Sequence, residues 1–160
     1  MYVGGASATH DATAALARNF NAYAWLPGGK ALLLQGDLGT RSVLWEQPLH
    51  AAARVLDLGD VEAGSELGVA KTGEVAFIGS TMTHPGELYV MASANARPRQ
   101  LTHFNAFVDK LDLGRTTSVQ WKSGDGLDAD GVLTYPVDYR KGKTYPLVLV
   151  IHGGPEAAST

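Results

Sequence analysis

The sequence predicts a mainly β chain whose centre is about two four-stranded blades of a β-propeller. Three observations predict it. The apolar segments are short and are separated by turns, with 19 glycines in 160 residues. Those turns hold residue types that accept positive φ, as hairpins require. The order of turns and strands then recurs at a nearly constant offset, close to the ~40–45 residues of a propeller blade.

The elements follow in order. Residues Met1 to Phe20 read as a connector or the end of a preceding blade. Ala12 to Arg18 has helical composition, whereas Gly4, Gly5, Ser7 and Thr9 are loop formers. Asn21 to Trp25 forms the first strand, and Pro27-Gly28-Gly29-Lys30 turns the chain into a second strand, Ala31 to Gln35. Asp37-Leu38-Gly39-Thr40 turns it again into Ser42 to Gln47, and Arg54 to Leu58 makes a fourth strand. The second unit repeats this plan. Lys71-Thr72-Gly73-Glu74 stands where Gly28-Gly29-Lys30 stood, with Gly73 falling 44 residues after Gly29. Glu74 to Ser80 repeats the second strand, Thr83-His84-Pro85-Gly86 the second turn, and Glu87 to Met91 the third strand. Arg99-Gln100-Leu101 repeats Arg54-Val55-Leu56 after 45 residues. The blades therefore occupy 21–102. An antiparallel sandwich with regular hairpins is the competing reading, and the constant offset favours blades.

Beyond Thr102 the pattern changes. Residues 103–117 show no clean period and read as a crossover between domains. Ser118 to Lys122 alternates like a strand, Ser123-Gly124-Asp125-Gly126 is a turn, and Asp130 to Tyr135 is a second strand ended by Pro136. After the polar loop Asp138 to Lys143 comes a continuous apolar run, Leu147 to Ile151. It is introduced by Pro146 and closed by Gly153 and Gly154, and it reads as a strand covered on both faces.

Composition narrows the class. Hydrophobic residues make up 45% of the chain and charged residues 18%, which suits a globular protein. The net charge of −3, from 13 basic and 16 acidic residues without a basic cluster, argues against a nucleic-acid surface. No apolar run approaches the ~20 residues that span a bilayer, so no membrane partner is expected. No signal peptide follows Met1, and the expectation is a soluble chain, cytoplasmic or periplasmic. Without cysteine there is neither disulfide nor thiolate metal site. No cofactor and no metal are expected.

Isolated polar residues have plain readings. His10, His50, His84 and His103 are scattered and read as surface or turn residues. Asp125, Asp128 and Asp130 lack the glycine and glutamate spacing of a calcium loop, and turn chemistry accounts for Asp125-Gly126. Trp25, Trp45 and Trp121 read as sheet-packing residues. Glu62, Glu66, Glu74 and Glu87 read as solvated.

A His-Gly-Gly turn directly after a buried strand matches the oxyanion loop of α/β-hydrolases. Three pieces in order resemble the prolyl oligopeptidase family of serine peptidases, in its acylaminoacyl-peptidase and dipeptidyl-peptidase branches. The first is the blade pair with Trp25-Leu26-Pro27-Gly28-Gly29-Lys30, similar to a Trp-Ser-Pro-Asp-Gly-Lys pattern of that family. The second is Val119 to Gly126 leading to Gly131-Val132-Leu133-Thr134-Tyr135-Pro136. The third is Tyr145-Pro146, the apolar run and His152-Gly153-Gly154-Pro155.

The resemblance implies that 118–160 holds the first strands and oxyanion loop of a truncated α/β-hydrolase domain. It implies cleavage of short peptides by a Ser-His-Asp triad, with the propeller restricting access. Gly153 would supply the backbone N–H of the oxyanion hole, flanked by His152 and Gly154. His152 stands where some branches carry a tyrosine, which favours the acylaminoacyl-peptidase side. The alternative for His152 is a strand-end histidine in an ordinary turn. No Gly-x-Ser-x-Gly surrounds Ser7, Ser65, Ser80, Ser123 or Ser159. Nucleophile, acid and base are therefore expected beyond Thr160, and the 160-residue chain alone is expected to be inactive. A homo-oligomer is compatible with this plan. The competing functions are a non-catalytic β-propeller binding protein and an esterase- or lipase-type α/β-hydrolase.

Overall fold

The protein is described here by a computed structural model covering residues 2–5, 8–151 and 153. Among the described residues, twelve strands are arranged in antiparallel sheets. Strands β1 (Tyr2–Gly5) and β2 (Ala8–Asp11) form a hairpin, followed by a 3-10 turn at Ala14–Leu16. Strands β3 (Ala22–Trp25), β4 (Ala31–Leu38), β5 (Arg41–Pro48) and β6 (Arg54–Val55) make the first four-stranded sheet, each paired with the next. Strands β7 (Glu62–Val69), β8 (Val75–Ser80), β9 (Glu87–Met91) and β10 (Arg99–Gln100) repeat that meander in a second sheet. A 3-10 segment at Ala106–Lys110 leads to a separate hairpin of β11 (Thr116–Lys122) and β12 (Asp128–Thr134).

The turns sit where the glycines place them. β4 and β5 pair from Leu38↔Arg41 onward, so Gly39 and Thr40 are the whole loop. Gly39 has φ +60°, a region that a Cβ disfavours, and a Cβ there would stand 2.9 Å from Asp130 Oδ2. The hairpin tip meets the β11–β12 hairpin, where the Thr40 and Ser118 hydroxyls are 2.7 Å apart.

The core explains the sheet order. Leu33 and Leu44 of the first sheet, with Leu56 and Leu58 in the segment just after β6, pack against Ala63, Val75, Phe77, Tyr89 and Met91 of the second. The opposite face of the first sheet, with Leu32, Leu34, Val43 and Trp45, is covered by Ala12, Leu16 and Phe20. Phe20 meets the Trp45 ring edge-on at 5.5 Å, and the Arg18 guanidinium lies 5.4 Å above that ring. Leu32 to Leu34 are thus buried without a break, because alternate side chains have cover on both faces. In β8 the burial alternates, with Val75, Phe77 and Gly79 inside and Ala76 and Ile78 outside.

Strand β7 is irregular. It pairs Ala63↔Gly79 and next Leu67↔Phe77, so Gly64, Ser65 and Glu66 bulge out of the ladder.

Several sequence expectations are corrected. Leu147 to Ile151 is neither a strand nor buried, for these five side chains are 75–83% exposed. A strand needs a neighbour for its N–H and C=O groups and an apolar layer over its faces. Neither stands against this run among the described residues. No α-helix occurs among them either, so the fold is mainly β without α/β-hydrolase helices. The two sheets form no closed ring or barrel. Trp45 packs in the core, but Trp25 and Trp121 are about half exposed. The Trp121 ring lies across Gly131, 3.3 Å from where a Cβ would stand. Glu66 and Glu74 are exposed, whereas Glu62 and Glu87 are buried.

Candidate functional site

Strand β8 ends at Ser80 with a buried glutamate on either side. Glu62 of β7 pairs opposite Ser80, and Glu87 of β9 pairs opposite Gly79. Each carboxylate anchors a polar cleft.

The first cleft lies between the two sheets, with a volume of about 270 Å³. It is lined by Asn21, Gln35, Asp37, Ser42, Glu62, Ala63, Gly64, Ser65 and Ser80. Glu62 receives Arg41 Nε at 3.0 Å on one oxygen and the Ser42 N–H at 2.5 Å on the other. Gln35 Nε2 donates to the Ala63 carbonyl at 2.8 Å. These bonds tie β4 and β5 to β7. Asp37 accepts the Ser42 hydroxyl at 2.6 Å. The bulge in β7 brings Gly64 and Ser65 to the wall. A Cβ at Gly64 would stand 3.0 Å from the Ile78 carbonyl oxygen, a tight approach that glycine avoids.

The second cleft, about 190 Å³, is lined by Thr81, His84, Glu87, Tyr89, Gln100, His103, Asn105, Ala106 and Asp109. The Thr102 hydroxyl donates to Glu87, and the Asn105 N–H reaches it at 2.6 Å. The hydroxyl chiefly, with that backbone N–H, holds the Glu87 carboxyl below its ordinary 4.5 against the effect of burial. Burial, and then the Glu87 charge, push the Tyr89 phenol up. Tyr89 donates to Gln100 Oε1 at 3.2 Å, and Gln100 Nε2 lies 3.1 Å from His103 Nδ1.

One hydroxyl–imidazole–carboxylate row occurs beside this cleft. Thr83 Oγ1 is 3.0 Å from His84 Nδ1, and His84 Nε2 is 2.8 Å from Asp109 Oδ1. Its setting is that of a turn. Asp109 is two-thirds exposed, and the Thr83 and His84 N–H groups both donate to Thr81 Oγ1, at 3.4 and 3.1 Å. Neither N–H is left to face a developing oxyanion.

The residues singled out from sequence fare differently. Gly153 is exposed, a Cβ on it would meet nothing within 4 Å, and it lines neither cleft. His152 and Gly154 lie outside the described residues, as do Ser7 and Ser159. Ser65 and Ser80 line the first cleft, and Ser123 donates to Asp125 in its turn. Among the described residues no three His, Asp or Glu side chains group to hold a metal, and no helix is long and apolar enough to cross a membrane. Sequence reading missed both clefts. The available signal was a polar residue, Gln35, ending the apolar run Ala31 to Leu34, and a glutamate opening each of two strands.

The fold defines a class, a mainly β module of paired four-stranded meanders. No family model matches the chain, and no curated protein sequence matches it significantly. Solved structures do match. The AtxE2 isopeptidase, as a serine-to-alanine variant with Astexin3-dC4 bound, aligns at TM-score 0.62 and 13% identity, over 78% of this chain and 20% of that one. The same isopeptidase in its apo form aligns at TM-score 0.59 and 14% identity, over 73% of this chain and 18% of that one. The chain spans about a fifth of the length of these neighbours, and at such identity the likeness is one of fold. The prolyl oligopeptidase resemblance is overturned. The structural neighbours are an isopeptidase, and the chain does not look like a propeller followed by an α/β-hydrolase, since its described residues include neither that domain's helices nor a buried strand at Leu147 to Ile151.

Proposed function

We propose that this chain is the β-sheet part of a peptide hydrolase. In this reading, residues 21–102 are two neighbouring units of a propeller-like array that holds a peptide, and a serine outside this chain breaks the bond. The observation that carries the reading is the fold likeness to an isopeptidase over 78% of this chain but only 20% of that one. The repeat supports the array. Two meanders of the same strand order stack face to face, as neighbouring blades do. The lack of an oxyanion arrangement around the Thr83–His84–Asp109 row supports placing the chemistry elsewhere.

The test compares the 160-residue chain with the full product of its gene, each incubated with linear and isopeptide-linked peptides and followed by mass spectrometry. The expected result is cleavage by the full product and none by the chain. A full product that cleaves neither class would overturn the reading and favour a non-catalytic binding protein, for which the two polar clefts already provide surfaces.

A further inference from the structure

We infer that the cleft between the two sheets binds a primary ammonium group. That its carrier is a peptide rests on the function proposed above.

The inference starts from Gln35. Its side chain is 3% exposed, and it faces the second sheet from β4. Nε2 must be the atom that meets the Ala63 carbonyl, because the reverse orientation would set two oxygens against each other. Oε1 is thereby fixed as an acceptor, and it has no partner. Buried acceptors are almost always paired, so an unpaired one on a cleft wall marks a place for a donor. Oε1 shows under 1 Å² to solvent, so a donor reaches it with a small movement of the wall. Gly64 and Ser65, which stand outside the β7–β8 register, form part of that wall.

The wall chemistry selects the donor. Two carboxylates, Asp37 and Glu62, line the cleft, while the neighbouring cations stand behind the lining, Arg41 on Glu62 at 3.0 Å and Arg18 on the Asp37 backbone carbonyl at 2.7 Å. Arg41 and the Ser42 N–H occupy both Glu62 oxygens. Asp37 gives one oxygen to Ser42 and keeps acceptor capacity. A divalent cation would lack a sufficient set of charged ligands here. A guanidinium prefers a bidentate carboxylate in one plane. A tripod of N–H donors suits acceptors of three kinds, namely the Asp37 carboxylate, the Gln35 amide oxygen and a hydroxyl of Ser65 or Ser80.

The test is an NMR titration of the ¹⁵N-labelled full chain, reading the Gln35 side-chain amide and the Ala63 backbone amide. Three peptides are used: Ala-Gly-Ala amide with a free amino terminus, acetyl-Ala-Lys-Ala amide, and the fully blocked acetyl-Ala-Gly-Ala amide. Saturable shifts from an amine-bearing peptide and none from the blocked one are expected, and the responding peptide tells an α-amine from a side-chain amine. Asp37→Asn keeps the acceptor for Ser42 and removes the charge, so affinity should fall about tenfold. Asn21→Asp adds a carboxylate at the exposed rim and should tighten binding roughly threefold at low salt. Equal shifts from the blocked peptide, no shift from either amine at millimolar concentration, or unchanged affinity in both variants would overturn the site. Binding is read without turnover. If amines bind while the full gene product cleaves no peptide, the hydrolase reading fails and the site stands.

Discussion

The two four-stranded sheets share a strand order and differ in cover. The first is packed on both faces, by the second sheet and by Ala12 to Phe20. The second has the first sheet on one face, and on the other its outward side chains, such as Ile78 at 39% exposure, face solvent. The sequences carry this difference. Ala31 to Leu34 is an unbroken apolar run, and Val75 to Ser80 alternates in burial. Leu147 to Ile151 completes the comparison, being as apolar as Leu32 to Leu34 yet about 80% exposed. An apolar run therefore states what a segment needs for burial, while the cover itself comes from elsewhere in the fold.

The largest effect should come from the doubly covered sheet. Leu33→Ala and Leu34→Ala each open a cavity among fully buried neighbours, one on each face, and should cost about 2–5 kcal/mol. Ile78→Ala on the outer face of β8 should cost less than about 1 kcal/mol. Urea unfolding of the three variants measures the contrast, and equal losses would break it.

Next comes the tie between the sheets. Glu62→Gln weakens the charge-assisted bonds from Arg41 and Ser42 that join β5 to β7. A loss of about 1–3 kcal/mol is expected, with a shared transition for both sheets in the native chain. Separate melting of the two sheets, followed through Trp45 and Tyr89, would show that they are not one cooperative unit.

Acid sharpens the comparison further. The Glu87 carboxyl is held below its ordinary 4.5 in the folded chain, mainly by the Thr102 hydroxyl. Its contribution is full above the unfolded value and is lost as pH falls through the folded one. Stability should therefore decline below about pH 4.5, and less steeply in Glu87→Gln. Unfolding curves between pH 3 and 6, as an approximate working window, test this.

The smallest effect on stability belongs to the uncovered run. Val148→Lys should shift the unfolding free energy by less than about 0.5 kcal/mol, because the side chain is 83% exposed. The same change should reduce self-association, which an exposed apolar segment favours. Light scattering of both forms gives the answer. A marked loss of stability would mean that the run has cover after all.

Much of the fold was legible because glycine turns punctuate it. The strand at Glu87–Met91 and the turn at Pro27 to Lys30 stand where the residue pattern places them, and the turn expected at Lys71 to Glu74 occupies Lys71 to Gly73. Strand β7 was not legible, since its bulge at Gly64 to Glu66 destroys the two-residue period. The covered-strand reading of Leu147 to Ile151 failed because a local pattern holds no information about neighbours. The clefts were hidden for a related reason. Gln35, Asp37 and Ser42 of the first sheet, with Asn21 just before β3, meet Glu62 and Ser80 of the second only through the stacking of the two sheets, and no linear motif joins the two groups. Glu62 and Glu87 read as solvated because glutamates usually are. Their burial depends on Arg41 in another sheet and on Thr102 and Asn105 in a later loop.

The central proposal, drawn from a likeness of fold, is that this β-rich chain is part of a peptide hydrolase whose nucleophile is supplied from outside it. A serine-directed fluorophosphonate probe tests it most directly, applied to the 160-residue chain and to the full product of its gene. The account predicts no labelling of the chain and labelling of the full product at one serine outside residues 1–160. Stoichiometric labelling of the chain itself, abolished by replacing one serine or Thr83 within it, would contradict the account.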